Sequence, residues 1–194
     1  VYFANEEEPL SENFGNATLT VIGHEPVIKG MWLRSPWWDS ISALWREVST
    51  GNFQPNNGSN DVDVNGRNGG SIMMAGSLQP GASLMYPVVI TWYFPNCYLV
   101  RSRDNEKSTP LEKPHWKPYY ASQWSDAKDV AEYVHANYSM LRGQTQQFRD
   151  AFSSSTLPDY VLDAVSSNLA IIKSPTVLRQ ANGNLWAWEG VCHE

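Results

Sequence analysis

Residues 154–190, SSTLPDYVLDAVSSNLAIIKSPTVLRQANGNLWAWEG, constrain the chain more than any other stretch. Thr156 reads as a helix cap, with Pro158 in the first turn and Asp159 three residues after the cap. Val161, Leu162, Val165, Leu169 and Ile172 then recur at helical period. Ser174-Pro175 ends that helix, because the residue before a proline is pushed out of the α region. Residues 176–178 and 185–188 flank Asn182-Gly183, which predicts a β-hairpin. Its second arm delivers Glu189 beside Gly190, directly after Trp186 and Trp188. The two tryptophans are one strand step apart on one face, so Glu189 points away from Trp188. A helix, a breaker and a hairpin thus form a scaffold that aims one carboxylate.

The remaining composition narrows the class. A length of 194 residues with 42% hydrophobic and 18% charged side chains gives room for one large domain, or a small one and part of another. A net charge of -6 offers no basic footprint for nucleic acid. No apolar run approaches the ~20 residues of a membrane-spanning helix. The nine tryptophans are scattered, and most read as core or interface residues, with a few available as sugar-stacking platforms. Cys97 and Cys192 lack metal-ligand spacing and are too few for a disulfide framework, and they leave the compartment open. No signal peptide is legible, and both ends read as cut, as in a piece of a longer protein.

The first hundred residues read as β structure. Residues 1–16 are polar and acidic and form a loose lead-in; 17–22 alternate as a strand. Ser35-Pro36 opens a helix with Trp37, Ile41, Leu44, Trp45 and Val48 on one stripe, ended by Gly51. Residues 52–70 are an Asn/Gly-rich loop. Within it, Asp61, Asp63, Asn65 and Gly66 match the opening of a calcium loop. Position twelve is Ile72 where a bidentate glutamate is needed, so the loop reads as a solvated connection and no metal is assigned. Residues 71–75, a turn at Gln79-Pro80-Gly81, and 84–94 complete the β region, with Pro87 at an edge or bulge.

Composition then changes. Residues 95–124 hold Pro95, Pro110, Pro114 and Pro118 and a charged run from Arg101 to Lys107, a connecting segment. His115-Trp116 and Tyr119-Tyr120 within it imply that it packs along a surface. Ser125 caps a long helix, Asp126 and Asp129 suit its dipole, and Val130, Tyr133, Val134, Tyr138 and Leu141 form its buried stripe. Gly143 loosens it before Phe148 and Phe152 resume the pattern. Strands followed by antiparallel helices give an α+β arrangement in two domains: 1–95, a linker at 96–124, and 125–194.

The run 154–179, the NGNLWAWEG that follows it and the WSDAKDVAEYVHANY at 124–138 together resemble glycoside hydrolase family 116. That family comprises β-glucosidases related to the non-lysosomal glucosylceramidase. The similarity is close over 116–192 and looser over 17–95. It implies that 1–95 is the end of an N-terminal antiparallel β-sandwich and that 125–194 holds the first helices of an (α/α)6 barrel. It further implies a retaining β-glycosidase whose nucleophile is the glutamate of a Glu-Gly pair, here Glu189. The acid/base is implied to be an aspartate beyond Glu194, so the remainder of the barrel is a partner of this segment. The implied substrate is a β-glucoside, with no cofactor.

The chemistry suits the residue. Retaining hydrolysis needs an ionised carboxylate and a second carboxyl about 5–5.5 Å away. Gly190 lets backbone or substrate approach closely, and Trp188 is the candidate sugar-binding side chain. Asp159 and Asp163 fit helix capping and surface roles and are not assigned as the acid/base. His115 and His193 have no matched partner, and 153–155 lack the elbow of a serine hydrolase. The competing reading is a non-catalytic carbohydrate-binding or structural module in which Glu189 is incidental.

Overall fold

The computed structural model describes residues 1–33, 39–58, 69–98, 115–173 and 177–187. The fold is mixed α+β, with three α-helices and small antiparallel sheets among the described residues. Its contacts divide into two units, Val1–Glu6 with Thr18–Ile90, and Glu7–Ala17 with Thr91–Glu194.

The first unit is β-rich. It holds β1 (Tyr2–Ala4) and most of β2 (Asn16–Val21), and β5 (Val88–Tyr93) as far as Ile90; the three strands lie in the order β1, β2, β5 in one sheet. The expected loose lead-in is therefore part strand: the Val1 ammonium donates to the Leu19 carbonyl at 2.7 Å, and Leu19 N–H returns a bond to Val1 at 2.9 Å. β3 (Val27–Lys29) pairs antiparallel with β4 (Ser71–Met73), matching Ile28 with Ile72 and Lys29 with Ser71. Ala82 N–H closes on the Gln79 carbonyl at 3.0 Å with Gly81 at φ 79°, the type II geometry expected of Pro-Gly. β5 begins at Val88, just after Pro87, whose carbonyl accepts from Ile22.

Helix α1 (Ser40–Ser49) is capped by Asp39, whose carboxylate accepts from the Ile41 and Ser42 N–H groups. Ser35 and Pro36, the expected start, lie outside the described residues, as does Trp37. Gly51 follows the helix at φ 70°, as a C-terminal glycine should. The expected stripe is not the inward face: Ile41, Trp45 and Val48 are 64%, 70% and 46% exposed. The helix is instead turned by Glu47, whose carboxylate takes the buried Lys29 ammonium at 2.7 and 2.5 Å, with Leu44 half-buried beside it. Lys29 also donates to the Gln54 carbonyl and stands 5.7 Å from the Phe53 ring. A charge this enclosed must be paired, and that requirement overrides the apolar period.

The second unit holds β6 (Cys97–Tyr98) paired antiparallel with β7 (His115–Trp116), then a short 3-10 helix (Tyr119–Ser122) and α2 (Ala127–Ser153). The α2 cap is Asp126, not the expected Ser125. Asp126 Oδ1 accepts from Asp129 N–H at 2.8 Å, and Asp129 Oδ2 accepts from Ser125 N–H at 3.0 Å, a reciprocal arrangement that leaves Ser125 one position outside. Asn16 Oδ1 takes the Ala127 N–H at 2.7 Å. Ala127 and Ala131 are buried, and Val130, Val134, Tyr138 and Leu141 continue the covered face; Tyr133 is 42% exposed and rests against Trp124. The helix runs unbroken through Gly143, so the expected loosening does not occur.

Helix α3 (Asp159–Leu169) starts two residues later than the Thr156 cap requires. Pro158 stands at the cap position with no side-chain bond, and its carbonyl accepts from Val161 and Leu162. The reason is local: a proline keeps the preceding Leu157 out of the α region, so no helix can begin before it. A further 3-10 turn (Ala170–Lys173) leads towards the hairpin β8 (Val177–Arg179) and β9 (Leu185–Ala187). The breaker pair Ser174-Pro175 lies outside the described residues.

Candidate active site

The hairpin forms where the sequence predicts it. Val177 pairs with Ala187, Leu178 with Trp186 and Arg179 with Leu185. Its turn is the three-residue form. Gly183 N–H donates to the Gln180 carbonyl at 2.8 Å, Gln180 N–H donates to Asn184 at 2.8 Å, and Gly183 alone sits at positive φ, 92°. A two-residue Asn-Gly turn of type I′ would need Asn182 at positive φ as well, and no described non-glycine residue adopts that. Asn182 Oδ1 instead accepts from Asn184 N–H at 3.0 Å.

A second strand-like contact holds this hairpin. Pro118 forms an antiparallel bridge with Gln180, and Ala181 N–H donates to the Lys117 carbonyl at 2.9 Å. Next to the bridge, the Arg179 guanidinium lies 3.7 Å from the centre of the Tyr119 ring. The neighbouring residue, Tyr120, is tied down in turn. Its hydroxyl accepts from Phe94 N–H at 3.1 Å and donates to the Phe94 carbonyl, and its ring meets Tyr93 edge-on at 5.7 Å. Tyr93 donates to the Ala121 carbonyl at 3.4 Å, and Thr91 to the Ala127 carbonyl at 2.7 Å. Burial pushes both phenols up from their ordinary values; for Tyr93 the Asp126 and Asp129 carboxylates add to it. These tyrosines are structural members of a platform that carries the hairpin.

The residues singled out from the sequence are distributed as follows. Ala187 ends β9, and the nucleophile candidate Glu189 and the sugar-binding candidate Trp188 lie outside the described residues. Trp186 is 50% exposed opposite Leu178. Asp159 and Asp163 line a shallow cleft between α2 and α3, alongside Phe148, Phe152, Leu162 and Arg149. The backbone of His115 pairs with Tyr98 in the β6–β7 ladder. His193 and Cys192 are outside the described residues, as is the calcium-like run from Asp61 to Gly66. Ile72, at its twelfth position, is paired in β4 with Ile28. Among the described residues no group of three His, Cys, Asp or Glu side chains is placed to hold a metal ion.

Sequence reasoning missed the Arg179–Tyr119 stack and the Lys29–Glu47 pair. Each joins residues far apart in the chain, and no local period announces them. The only available signals were the paired tyrosines in a proline-rich segment and a lysine within an otherwise apolar strand.

Among the described residues no helix is long and apolar enough to cross a membrane. No curated protein matches the chain. The family model described as beta-glucosidase 2, glycosyl-hydrolase family 116 N-term, matches residues 12–141. The matched span ends at Leu141 within α2, ahead of the hairpin. It covers more than half of the chain, which therefore belongs to glycosyl-hydrolase family 116.

Proposed function

We propose that this chain is a segment of a retaining β-glycosidase acting on β-glucosides, with Glu189 as the nucleophile and the acid/base supplied from outside these residues. On this reading 1–95 is the end of an N-terminal β-sandwich, 96–124 the linker, and 125–194 the start of an (α/α)6 catalytic barrel. A glucosylceramide-like substrate is within the family's range. The observation that carries the proposal is family membership over 12–141, together with a braced hairpin whose second arm ends at Ala187, two residues before Glu189 in the sequence.

The chemistry follows from the carboxylate. Glu189 attacks the anomeric carbon as the leaving-group oxygen receives a proton from the second carboxyl. A covalent glycosyl ester forms, and water then releases the sugar with retained configuration. Trp188, an aromatic next to the nucleophile, offers a face on which a sugar ring stacks.

Replacing Glu189 by alanine in the complete enzyme tests this. Turnover of an aryl β-glucoside should fall by about four orders of magnitude or more, because no covalent intermediate can form. Azide should restore cleavage of substrates with good leaving groups and give a glycosyl azide of inverted configuration. Near-normal activity in the alanine variant would remove Glu189 from the role. A retained azide product would make it the acid/base.

A further inference from the structure

We propose that residues 7–17 form a strap of the second unit that opens and closes as one piece, latched at one end to Asn96 and at the other to the first turn of α2.

The surface under the strap is fixed without it. Thr91 Oγ1 donates to the Ala127 carbonyl at 2.7 Å, Tyr93 to the Ala121 carbonyl at 3.4 Å, and the Tyr120 hydroxyl bonds both Phe94 backbone groups. Thr91, Tyr93 and Asn96 are all buried. The strap meets this surface at three points. Asn96 Nδ2 donates to the Pro9 and Ser11 carbonyls at 2.8 and 2.9 Å. Gly15 approaches so closely that an added methyl would lie 2.7 Å from the Tyr93 carbonyl oxygen and overlap the Phe94 ring. Asn16 Oδ1 accepts from Ala127 N–H at 2.7 Å. Between these points the strap is stiffened by two turns, Ser11 N–H to the Glu8 carbonyl at 2.8 Å and Phe14 N–H to the Ser11 carbonyl at 3.1 Å. A stiff segment this short moves at both ends or at neither.

The strap is a weaker layer than the surface it covers. From Glu7 to Phe14 no residue is buried, so polar contacts and the fit of Gly15 hold it, and segments of that kind open locally. The body of α2 does not depend on it, because Asp126 and Asp129 form their own reciprocal cap. Ala127 does depend on it. This residue is 0% exposed and is the first of the helix, so its N–H has no acceptor within α2, and Asn16 supplies one from 111 positions away. Lifting the strap therefore strips acceptors from two buried donors together, the Asn96 amide and the Ala127 N–H. A buried donor left without its partner carries its full desolvation cost, and this links the two latches. The start of α2 is thus controlled by residues at the other end of the chain.

The test is hydrogen–deuterium exchange, read by peptide mass on the complete protein, with Asn96→Ala and Asn16→Ala. Each variant alters one latch and should speed exchange at both. Peptides covering 7–17 and 125–131 should each exchange about tenfold faster, while 135–150 in the middle of α2 stays within about twofold of wild type. Faster exchange confined to the altered end would mean two independent contacts and would overturn the strap. Equal acceleration throughout α2 would mean that the segment unfolds only with the whole unit, and no acceleration would mean that it carries no latch; either overturns the proposal. If the variants fail to fold, the unaltered protein decides. In small additions of denaturant the amides of Ser11, Phe14 and Ala127 should share one opening equilibrium and one denaturant slope, below those of mid-α2 amides. Separate values for Ala127 and the two strap amides would overturn it.

Discussion

An ammonium group with only 8% of its side chain exposed needs a counter-charge, and Glu47 supplies one to Lys29 while keeping 26% exposure itself. Removing one partner leaves a buried charge unpaired, whereas replacing both by apolar groups is often neutral. Glu47→Gln should therefore destabilise the first unit by about 2 kcal/mol, below the 3–5 kcal/mol of a fully enclosed pair because Glu47 remains partly solvated. Lys29→Met combined with Glu47→Leu should recover most of that loss, as read by denaturant unfolding of the three variants. The same pair sets a pH dependence. The Lys29 hydrogen bond holds the Glu47 carboxyl below its ordinary value of 4.5, outweighing a smaller opposing effect of burial. A carboxyl depressed in the folded state stabilises fully above its unfolded value, and that contribution disappears as pH falls through the folded value. Stability should thus decline on acidification below about pH 4.5, with a shallower slope in Glu47→Gln. Equal slopes would mean that the pair is not formed in solution.

Elements were legible where their signals are local. The hairpin, β2 and the body of α2 follow from turn chemistry and apolar period within a few residues. Element starts were less legible, because adjacent residues compete for one role. Ser125 and Asp126 are both good caps, and the choice is made by Asp129, which turns back to Ser125, and by Asn16, which takes the Ala127 N–H from far along the chain. Asp126→Ala should cost about 1 kcal/mol and Ser125→Ala much less, a contrast that thermal unfolding of the two variants measures. The orientation of α1 was not legible either, since the Lys29–Glu47 pair that rotates it spans two elements. Gly143 is a further contrast. It lies inside an unbroken helix with nothing within 4 Å of an added methyl, so Gly143→Ala should stabilise by about 0.5–1 kcal/mol. Gly183 at φ 92° sits in the opposite situation, and alanine there should destabilise the hairpin despite equally open space. A Gly143→Ala variant that melts lower than wild type would contradict the helix as drawn.

At the scale of the whole chain, only four hydrophobic residues are buried among those described: Phe53, Tyr93, Ala127 and Ala131. Larger side chains stand exposed in ordered positions, with Val88, Ile90 and Trp92 at 58%, 63% and 65% along alternate positions of β5, an end strand in its sheet. An apolar row on an end strand invites pairing. The 194-residue chain alone should therefore self-associate in sedimentation velocity, and a variant with Ile90→Lys and Trp92→Lys should do so less. The family was legible from its motifs, whereas the Arg179–Tyr119 stack beside the hairpin was not, because no local pattern joins residues so far apart. Leaving-group departure in a retaining mechanism needs a proton donor about 5–5.5 Å from the nucleophile. The described carboxyls nearest in sequence, Asp159 and Asp163, stand exposed on α3 beside a shallow cleft, where water competes for any proton they give. Under the proposed reading the donor and most of the sugar-binding wall belong to the rest of the barrel. The isolated chain should then show no turnover of an aryl β-glucoside, even one whose leaving group needs no proton, because the sugar is not held for attack. Activity that disappears on Glu189→Gln would instead mean that the acid/base and the sugar site both lie within these residues, and Asp159 and Asp163 would be the first candidates to replace.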